Sequence, residues 1–465
     1  MLWITIVSIN IDDILFLIQS AFFIDLYGSA MLYKMPHSRF KIHKTGKFVD
    51  TKKCKKIITS WDKNGSKGYF IMCDLSFPSE IMQQLDEYPP APESKTIKKS
   101  HLSKSSIERL KESGLRDYAS KKLVATLSRR KRYFCHIMAL QCYLNLGAKL
   151  EKVHYVCSFK QVSFLKKFVR ITAFLRKNSQ NTFYENMWKR VSNSLYGKLI
   201  ENVFSYTNTH LVNDEDEVAK YVGMKQFQSC TKINEKIYAI HSRPKKLFLN
   251  KMYAAGFSIL EISKVLMFNL YYNIIKPACP GTNLIYSDTD SLILSTPFRP
   301  DSFFDRISHI VDYSNYPTTH KKYSQENKNA LNFVKDECKG THYISEWAAL
   351  RPKNYSIKLK PFQKSGSQFE KIRCKGVSLK KLVDGALSFN DYLRVLKTNI
   401  TIEREQVKII SKNHKLTTCT QRKTCLNSLE TKRFWKNCGI HSFAHGNKYR
   451  YKQENCSKCA LHPLL

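Results

Sequence analysis

The sequence has few acidic residues for the number of its basic ones. Its 465 residues include 38 Asp and Glu against 77 Lys and Arg, which gives a formal net charge of +39. An ordinary soluble enzyme seldom carries that much self-repulsion without a polyanion to offset it. Nucleic acid is therefore the leading expected partner, and an anionic membrane surface is the second.

The apolar N-terminal stretch is too short and too interrupted to cross a membrane. It has no Lys or Arg before Lys34, so it lacks the basic start of a secretory signal peptide. Acidic residues interrupt it, and its charge-free run, 14–24, is well below the roughly 20 residues of a membrane helix. The stretch instead predicts a buried strand or helix, and we expect no membrane partner.

The sequence also lacks the dense cysteine pattern of a small secreted protein. Its 14 cysteines are scattered as far as Cys459, so we expect an intracellular, reducing compartment, nuclear or cytoplasmic. Only Cys456 and Cys459 form a close pair, which is half of a zinc site. Five residues are candidates to complete it: Cys419, Cys425, Cys438, His441 and His445. Because such a site needs two close pairs, a basic tail with reduced thiols is the preferred interpretation.

A chain of this length is too long for one compact core and predicts two or three subdomains. Its hydrophobic content of 43% can fill such cores, which excludes wholesale disorder. The basic, Ser-rich stretch Lys95–Ser106 follows a Pro-rich segment and predicts an exposed linker. Apolar residues at helical spacing predict helices over 107–146, with Gly147 as the stop, over 176–202 and over 252–275.

Two carboxylates stand between two predicted strands. The β-prone runs Asn283–Tyr286 and Ser291–Ser295 flank Asp288 and Asp290, so a tight hairpin would place both acids at its tip. Neighbouring carboxylates repel each other, and a divalent cation such as Mg²⁺ relieves that repulsion. Two such ions can stabilise the attacking and leaving oxygens of a phosphoryl transfer. The alternative is a metal-free, Asp-rich turn.

A second pattern lies on the predicted helix over 176–202. Lys189, Asn193 and Tyr196 are spaced i, i+4 and i+7, so they share one helix face. A cation, an amide and a ring on one face can meet the phosphates, the sugar and the base of a nucleotide. Gly197 removes a side chain where a base pair must come close. The alternative is an amphipathic helix with a solvent-exposed Lys and a core Tyr.

These strings resemble the motifs of family B DNA polymerases. Tyr286–Ser291 resembles the C motif Tyr-x-Asp-Thr-Asp-Ser, and Lys189–Gly197 resembles the B motif Lys-x₃-Asn-Ser-x-Tyr-Gly. Arg351–Tyr355 resembles the Lys-x-Tyr motif, and Cys374–Val377 resembles the Lys-Gly-Val turn. Further blocks resemble the protein-primed branch of viruses, linear plasmids and self-synthesising transposons: Asp74–Pro78, Tyr88–Glu93, Tyr143–Leu150 and 432–446.

The resemblance implies an α+β, right-hand polymerase fold. It implies the N-terminal part of the palm with an insertion over 1–105, fingers with the nucleotide-binding helix over 106–202, a palm with the catalytic hairpin over 203–360, and a thumb with a basic tail over 361–465. Implied partners are primer–template DNA, deoxynucleoside triphosphates and a terminal protein whose hydroxyl serves as a primer.

The same resemblance assigns roles to single residues. Asp288 and Asp290 would be catalytic and would bind two Mg²⁺ ions. The nucleotide would contact Lys189, Asn193, Tyr196 and Tyr27, the last of which matches the ring that excludes a ribose 2′-hydroxyl. The primer strand would contact Lys353, Tyr355 and Lys375.

One motif departs from the family pattern. The A motif has a metal-binding Asp four residues before Leu-Tyr, but here Phe22 stands four residues before Leu26. Asp25 is displaced by three residues, which on a strand turns its side chain to the opposite face unless the backbone bulges. Asp74 ranks lower as a substitute, because its surroundings match another block. Too little chain precedes this motif to hold the proofreading exonuclease that the resemblance implies, so we expect an N-terminus that is truncated or misjoined, or a decayed copy. A catalytically inactive DNA-binding remnant is the alternative function.

Overall fold

The computed structural model describes residues 2–4, 8–10, 16–23, 25–46, 48–112, 118–363, 367–378, 385–412, 414–436 and 441–451. Helices and sheets are interspersed along this part of the chain, which confirms the α+β prediction. The helices are α1 (Leu26–Met31), α2 (Thr51–Ser60), α3 (Ser79–Leu85), α4 (Lys104–Glu112), α5 (Ile137–Asn145), α6 (Lys166–Lys177), α7 (Thr182–Leu199), α8 (Glu215–Val222), α9 (Tyr253–Phe268), α10 (Lys276–Ala278), α11 (Pro300–Arg306) and α12 (Phe389–Thr398). The strands are β1 (Leu2–Ile4), β2 (Ser8–Asn10), β3 (Phe16–Phe23), β4 (Met35–His43), β5 (Lys67–Ser76), β6 (Glu93–Lys98), β7 (Ala119–Val124), β8 (Arg130–His136), β9 (Lys149–Val162), β10 (Asn208–Val212), β11 (Phe227–Lys232), β12 (Tyr238–Ser242), β13 (Asn283–Asp288), β14 (Ser291–Thr296), β15 (Val334–Asp336), β16 (His342–Arg351), β17 (Asn354–Pro361), β18 (Phe369–Cys374), β19 (Ile402–Lys412), β20 (Lys415–Leu426), β21 (Phe434–Trp435) and β22 (Ser442–Phe443).

A central antiparallel sheet joins distant parts of the chain. Its strand order is β1-β13-β14-β3-β16-β17-β18, with β15 paired to β3 and β2 paired to β16. Every residue of β14 is buried, as expected for a strand covered on both faces. Strands from the first, third and fourth predicted segments share this sheet, namely β3, β14 and β18. The four segment boundaries themselves stay predictions.

The helix α9 is the centre of the largest hydrophobic core. It is apolar nearly all round, as expected for a fully buried helix, and it packs against α1, α5 and α7. Gly256 permits the close approach of α7, because a Cβ at this position would lie 2.0 Å from Cγ2 of Ile200. The core therefore fixes α1 and α7, which carry two of the predicted motifs, against each other.

Smaller sheets surround this core. One has the order β4-β9-β5-β8, another has the order β10-β12-β11, and β6 pairs with β7. The long hairpin β19–β20 projects from the central sheet and is mostly exposed. At its tip, His414 stacks on His241 of β12, with Nε2 atoms 2.7 Å apart and ring centroids 4.9 Å apart. This contact joins the hairpin to the three-stranded sheet.

Two sequence-based predictions of local structure are wrong. Lys95–Ser106 is not an exposed linker, because it forms most of β6 and the start of α4 and buries Ile97 and Leu102. The predicted helix over 107–146 is interrupted by β7 and β8, whose backbone groups pair with β6 and β5. The stop at Gly147 is confirmed, since α5 ends two residues earlier and Gly147 has φ +94°.

Other predictions are confirmed. The segment over 252–275 is helical, and the two strands around Asp288 and Asp290 form where expected. The N-terminal stretch contributes strands, as one of its two interpretations required. Among the described residues, none of the helices is both long and apolar enough to span a membrane.

Candidate active site

The two acids lie at a tight hairpin, as predicted. Asp288 ends β13 and pairs with Ser291 of β14, which leaves Thr289 and Asp290 as the loop. Thr289 has a left-handed φ of 58°, and its hydroxyl donates to Oδ1 of Asp288 at 3.1 Å. The Ser291 hydroxyl donates to the Asp288 carbonyl at 3.1 Å. The hairpin therefore holds both carboxylates at one edge of the central sheet.

The two acids have different electrostatic surroundings. Burial, together with the charge of Asp288, raises the pKa of Asp290 from 3.8 to about 6, although Lys189 and Lys353 oppose the shift. Asp288 instead forms an ion pair with Nζ of Lys353, at 2.7 Å from Oδ2 and 2.9 Å from Oδ1. Lys353 therefore already pairs with Asp288, whereas Asp290 is buried close to the charge of Asp288.

The predicted nucleotide-binding residues of two separate motifs meet. Tyr27 of α1 stacks on Tyr196 of α7, with ring centroids 4.6 Å apart and planes 14° apart. Burial and then the charge of Asp290 raise the pKa of Tyr27, and burial raises the pKa of Tyr196 to about 12. Since Asp290 affects Tyr27, the ring pair lies beside the hairpin tip.

A cavity of about 450 Å³ connects these elements. Its lining includes Asp290, Tyr27, Lys189 and Asn193, so four of the predicted residues converge on one space. Apart from its own helix, no atom of the described residues lies within 4 Å of a Cβ built on Gly197, so the helix is open on this side. Lys189 and Asn193 of the predicted face line this cavity, and Tyr196 reaches it only through its stacking on Tyr27. Their contact with a nucleotide stays a prediction.

Sequence reasoning missed three further residues of this cavity: Arg176, Lys335 and Glu337. Arg176 ends α6, and its buried Nε has no hydrogen-bond partner within the described residues. Lys335 donates to Asn329 Oδ1 at 3.0 Å and lies 3.3 Å from Oδ2 of Asp312. Only their folded proximity marks them, because none of the three belongs to a motif.

Asp25 also lines this cavity, contrary to the expectation from strand geometry. Its left-handed φ of 63° ends the strand conformation and makes Asp25 the N-cap of α1. Its carboxylate accepts from the backbone NH of Gly28 at 2.7 Å and from the hydroxyl of Ser192. A backbone turn, and not a bulge, thus brings this acid to the site, where its oxygens already cap a helix.

The other substitute acid is remote from the cavity. Asp74 lies on β5, and its Oδ1 accepts from the backbone NH of Arg132 and is 2.7 Å from Nε2 of His154. Burial alone would raise the pKa of Asp74, but these two partners lower it. Phe22 lies on β3 opposite Lys335 of β15, so position 22 neighbours a residue of the cavity lining.

A second cavity, of about 620 Å³, lies on the other side of the hairpin. All three predicted primer-contacting residues line it: Lys353, Tyr355 and Lys375. Lys353 does not lie on a strand, because Pro352 and Lys353 form the two-residue turn between β16 and β17 and Lys353 has φ 62°. The backbone NH of Lys375 donates to the Lys353 carbonyl at 3.0 Å, which joins the two predicted motifs. Arg373 is an additional cation of this lining.

Three of the eleven non-glycine residues with a left-handed φ in the described part of the chain lie around the hairpin tip. Asp25, Thr289 and Lys353 all have a left-handed φ without being glycine. Such residues cost free energy and persist where the surrounding structure holds them, often at functional sites. The three strained residues lie on three different elements that meet around Asp290.

The metal-ligand chemistry at the tip is incomplete. Asp288 and Asp290 supply the oxygen donors that Mg²⁺ prefers, and burial, then the charge of Asp288, raises the pKa of Asp290, which a bound cation would oppose. Within the described residues, no group of three or more His, Cys, Asp or Glu side chains can hold a metal ion. The pair fits an ion that takes its remaining ligands from water and phosphate, and the expected second ion stays a prediction.

The zinc alternative has little support in the part of the chain that the structure describes. Cys456, Cys459 and Cys438 lie outside the described residues. Cys425 is buried and Cys419 is exposed, on β20. The Nε2 atom of the buried His445 is 2.9 Å from the Thr431 carbonyl. Phe434 and Trp435 are buried.

Comparisons with known proteins place the fold. No protein-family model matches the sequence. No curated protein matches it either. Among solved structures, an orthorhombic crystal form of Phi29 DNA polymerase matches at 14% identity and a TM-score of 0.54, over 92% of this chain and 61% of that chain. Its post-translocation binary complex with primer–template DNA matches at 15% identity and a TM-score of 0.51, over 91% and 60%. Its ternary complex with primer–template DNA and incoming nucleotide substrates matches at 14% identity and a TM-score of 0.52, over 91% and 61%. This chain thus has the fold of a DNA polymerase and spans about 61% of the length of that protein.

Proposed function

We propose that this chain is a template-directed DNA polymerase of the protein-primed family B type, belonging to a viral or mobile element. The observation that carries the proposal is the convergence of Asp290, Lys189, Asn193 and Tyr27 on one cavity. These residues come from three motifs far apart in sequence, and a metal-free turn or an ordinary amphipathic helix gives no reason for them to meet. The polymerase fold supports the same reading.

The two cavities suggest how substrates would lie. A deoxynucleoside triphosphate would occupy the 450 Å³ cavity, with its phosphates facing Lys189, Arg176 and Lys335 and its sugar and base against Tyr27 and Tyr196. The primer end would enter the 620 Å³ cavity, which Lys353, Tyr355, Lys375 and Arg373 line. Asp290 belongs to both linings, so the reacting ends would meet at the hairpin tip.

In the proposed reaction, the primer 3′-hydroxyl attacks the α-phosphate of the nucleotide, and pyrophosphate leaves. The lysines and Arg176 would neutralise the charge of the triphosphate, and positioning with such charge stabilisation supplies most of the rate in phosphoryl transfer. Mg²⁺ held by Asp288 and Asp290 would supply further charge neutralisation at the oxygens that change bonds. Lys353 would release Asp288 and turn to the primer backbone. The central sheet would then be the palm, α6 and α7 the fingers, and β19–β20 part of the thumb.

A catalytically inactive DNA-binding remnant is the second candidate. Two observations favour the remnant. Lys353 already pairs with Asp288, and Phe22 stands where the family pattern has an Asp, so the site has few free carboxylates. Both candidates bind DNA through the same positive charge, so binding alone does not separate them.

Primer extension separates the two candidates. The purified chain, a labelled primer annealed to a longer template, the four deoxynucleotides and Mg²⁺ are incubated, and the products are resolved by length. The polymerase proposal requires longer primers that disappear in Asp290→Asn. Template binding without extension, in the unmodified chain and in a Phe22→Asp variant, favours the remnant.

A further inference from the structure

The helical hairpin α6–α7 carries an unusual surface outside the candidate active site. Between residues 166 and 198 the chain has eight Lys and Arg and a single acid, Glu185. That acid is already engaged, since it pairs with Arg176 at 3.8 Å and accepts from Asn329 at 3.1 Å. The outer surface of the hairpin therefore presents uncompensated positive charge.

Aromatic rings are exposed among these cations. Phe174 of α6 is 66% exposed and Phe183 of α7 is 71% exposed. Phe168 and Tyr184 are also exposed, and Tyr184 packs edge-to-face against Phe183 with centroids 5.4 Å apart. Exposed rings that alternate with cations match the chemistry of an unpaired nucleic-acid strand, whose bases stack on rings while its phosphates meet cations.

A groove of about 530 Å³ follows one face of α7. Its lining includes Phe183, Met187, Arg190, Val191 and Ser194, spaced i, i+4, i+7, i+8 and i+11. The neighbouring face of the same helix carries Lys189 and Asn193, which line the candidate nucleotide cavity. A strand lying in the groove would therefore pass directly beside that cavity.

We propose that the outer surface of α6 and α7 binds the unpaired template strand, with its bases stacked on Phe174 and Phe183 and its phosphates held by cations such as Lys167, Arg170 and Arg190. This inference rests on the proposed function in one respect, because the bound strand is a template only if the chain is a polymerase. The recognition itself requires only single-stranded DNA. Duplex DNA meets the cations but hides its bases from the rings, so the rings confer a preference for unpaired DNA.

The test is a binding measurement on the whole chain. Its ligands are a single strand of about 12 nucleotides that contains 2-aminopurine, within the usual span of such sites, and a blunt duplex of the same length. The variant is Phe174→Ala/Phe183→Ala, whose two rings are mostly exposed, so the fold does not depend on them. Phe248→Ala is the matched control, since Phe248 is 74% exposed on a loop outside α6 and α7. Phe174→Tyr/Phe183→Tyr retains both rings.

The expected result is about tenfold weaker single-strand binding by the Ala variant, with loss of 2-aminopurine quenching and unchanged duplex binding. The Tyr variant and the Phe248→Ala control should bind as the unmodified chain does. Equal weakening for single strand and duplex, or no weakening, overturns the proposal. So does a variant that loses only binding to anionic vesicles or only self-association. Failure of primer extension with intact single-strand binding contradicts the proposed function and leaves this inference standing.

Discussion

The environment of Asp290 predicts how the stability of the fold depends on pH. Burial and the charge of Asp288 hold its pKa at about 6, above its ordinary value of 3.8. The folded state therefore binds this proton more tightly than the unfolded state, so this residue's contribution to stability is present at low pH and is lost as pH rises from 3.8 to about 6. At neutral pH the ionised carboxylate destabilises the fold.

Asp290→Asn should accordingly raise the melting temperature at pH 7.5. After discounting for solvent at this partly buried site, the gain is about 1 kcal/mol, or roughly 1–3 °C. Differential scanning fluorimetry at pH 7.5 and at pH 4 measures it, and the gain should vanish at pH 4. Asp216→Asn, at an exposed position on α8, is the control. A lower melting temperature for Asp290→Asn at pH 7.5 would show that the Asp290 charge is stabilised by cations instead.

Tyr27 gives a prediction about sugar selectivity. Its ring stacks on Tyr196 at the edge of the candidate nucleotide cavity, where a bulky side chain can exclude a 2′-hydroxyl. Tyr27→Ala should increase ribonucleotide incorporation relative to deoxynucleotide incorporation by about tenfold or more, a barrier change of roughly 1.4 kcal/mol. Single-nucleotide extension in a Phe22→Asp background measures the ratio. Tyr27→Phe keeps the ring and should keep the selectivity; unchanged selectivity in Tyr27→Ala would remove this residue from that role.

At the residue scale, motif spacing predicted which side chains face the candidate site but not their full environment. Lys189 and Asn193 share a face because helix geometry is local, and the structure places both at the cavity, while Tyr196 stacks on Tyr27 beside it. Arg176 and Lys335 belong to no motif and reach the site only through tertiary packing. The assumption of a continuous strand placed the Asp25 side chain on the wrong face. The left-handed backbone of Asp25 arises because this residue is the N-cap of α1.

At the scale of elements, Gly256→Ala and Gly197→Ala should change the free energy of unfolding in opposite directions. Gly256→Ala inserts a methyl group where Ile200 already lies, so α9 and α7 must separate. Overpacking costs about 1–3 kcal/mol and the gain in helix propensity offsets up to about 1 kcal/mol, which leaves a net destabilisation of about 1–2 kcal/mol. Urea unfolding measures the change.

Gly197→Ala is the matched counterpart in α7. Its added methyl group has no neighbour within 4 Å, so the free energy of unfolding should rise by up to about 1 kcal/mol. Equal stability changes in the two variants would contradict the packing of α7 against α9. Because Gly197 borders the open part of the candidate site, the stabilised variant should also bind nucleotide less tightly.

Secondary-structure elements were predictable where residues close in sequence determine the conformation. The hairpin of β13 and β14 has both strands and its turn within 14 residues, so pattern and turn chemistry suffice. The segment over 107–146 has apolar residues at helical spacing, yet β7 and β8 pair with β6 and β5. The partner strands decide the conformation there, and β5 is far away in sequence. The order of the central sheet is likewise set by non-local pairing.

At the scale of the whole molecule, the charge of +39 predicts strong salt dependence of DNA binding. A protein that neutralises several phosphates releases their counterions, so affinity should fall by 10³-fold or more between about 50 and 200 mM salt if six or more phosphates are contacted. Fluorescence anisotropy with a labelled primer–template measures it. An affinity that does not change over this range would contradict an electrostatic footprint on DNA.

We propose that this chain adds nucleotides at Asp288 and Asp290 but lacks the A-motif Asp, whose place Phe22 takes. Phe22 stands opposite Lys335, which lines the candidate nucleotide cavity, so Phe22→Asp adds a carboxylate to the strand beside the site. The most direct measurement compares primer extension by the unmodified chain, by Phe22→Asp and by Phe22→Asp/Asp290→Asn, with primer–template binding measured for each. We expect feeble extension by the unmodified chain, extension greater by orders of magnitude in Phe22→Asp, since a few kcal/mol of barrier is worth that much, and none in Phe22→Asp/Asp290→Asn. Robust extension by the unmodified chain would show that Asp25 or Glu337 already completes the site, and no extension by any of the three, with DNA still bound, would contradict the claim and leave a DNA-binding remnant.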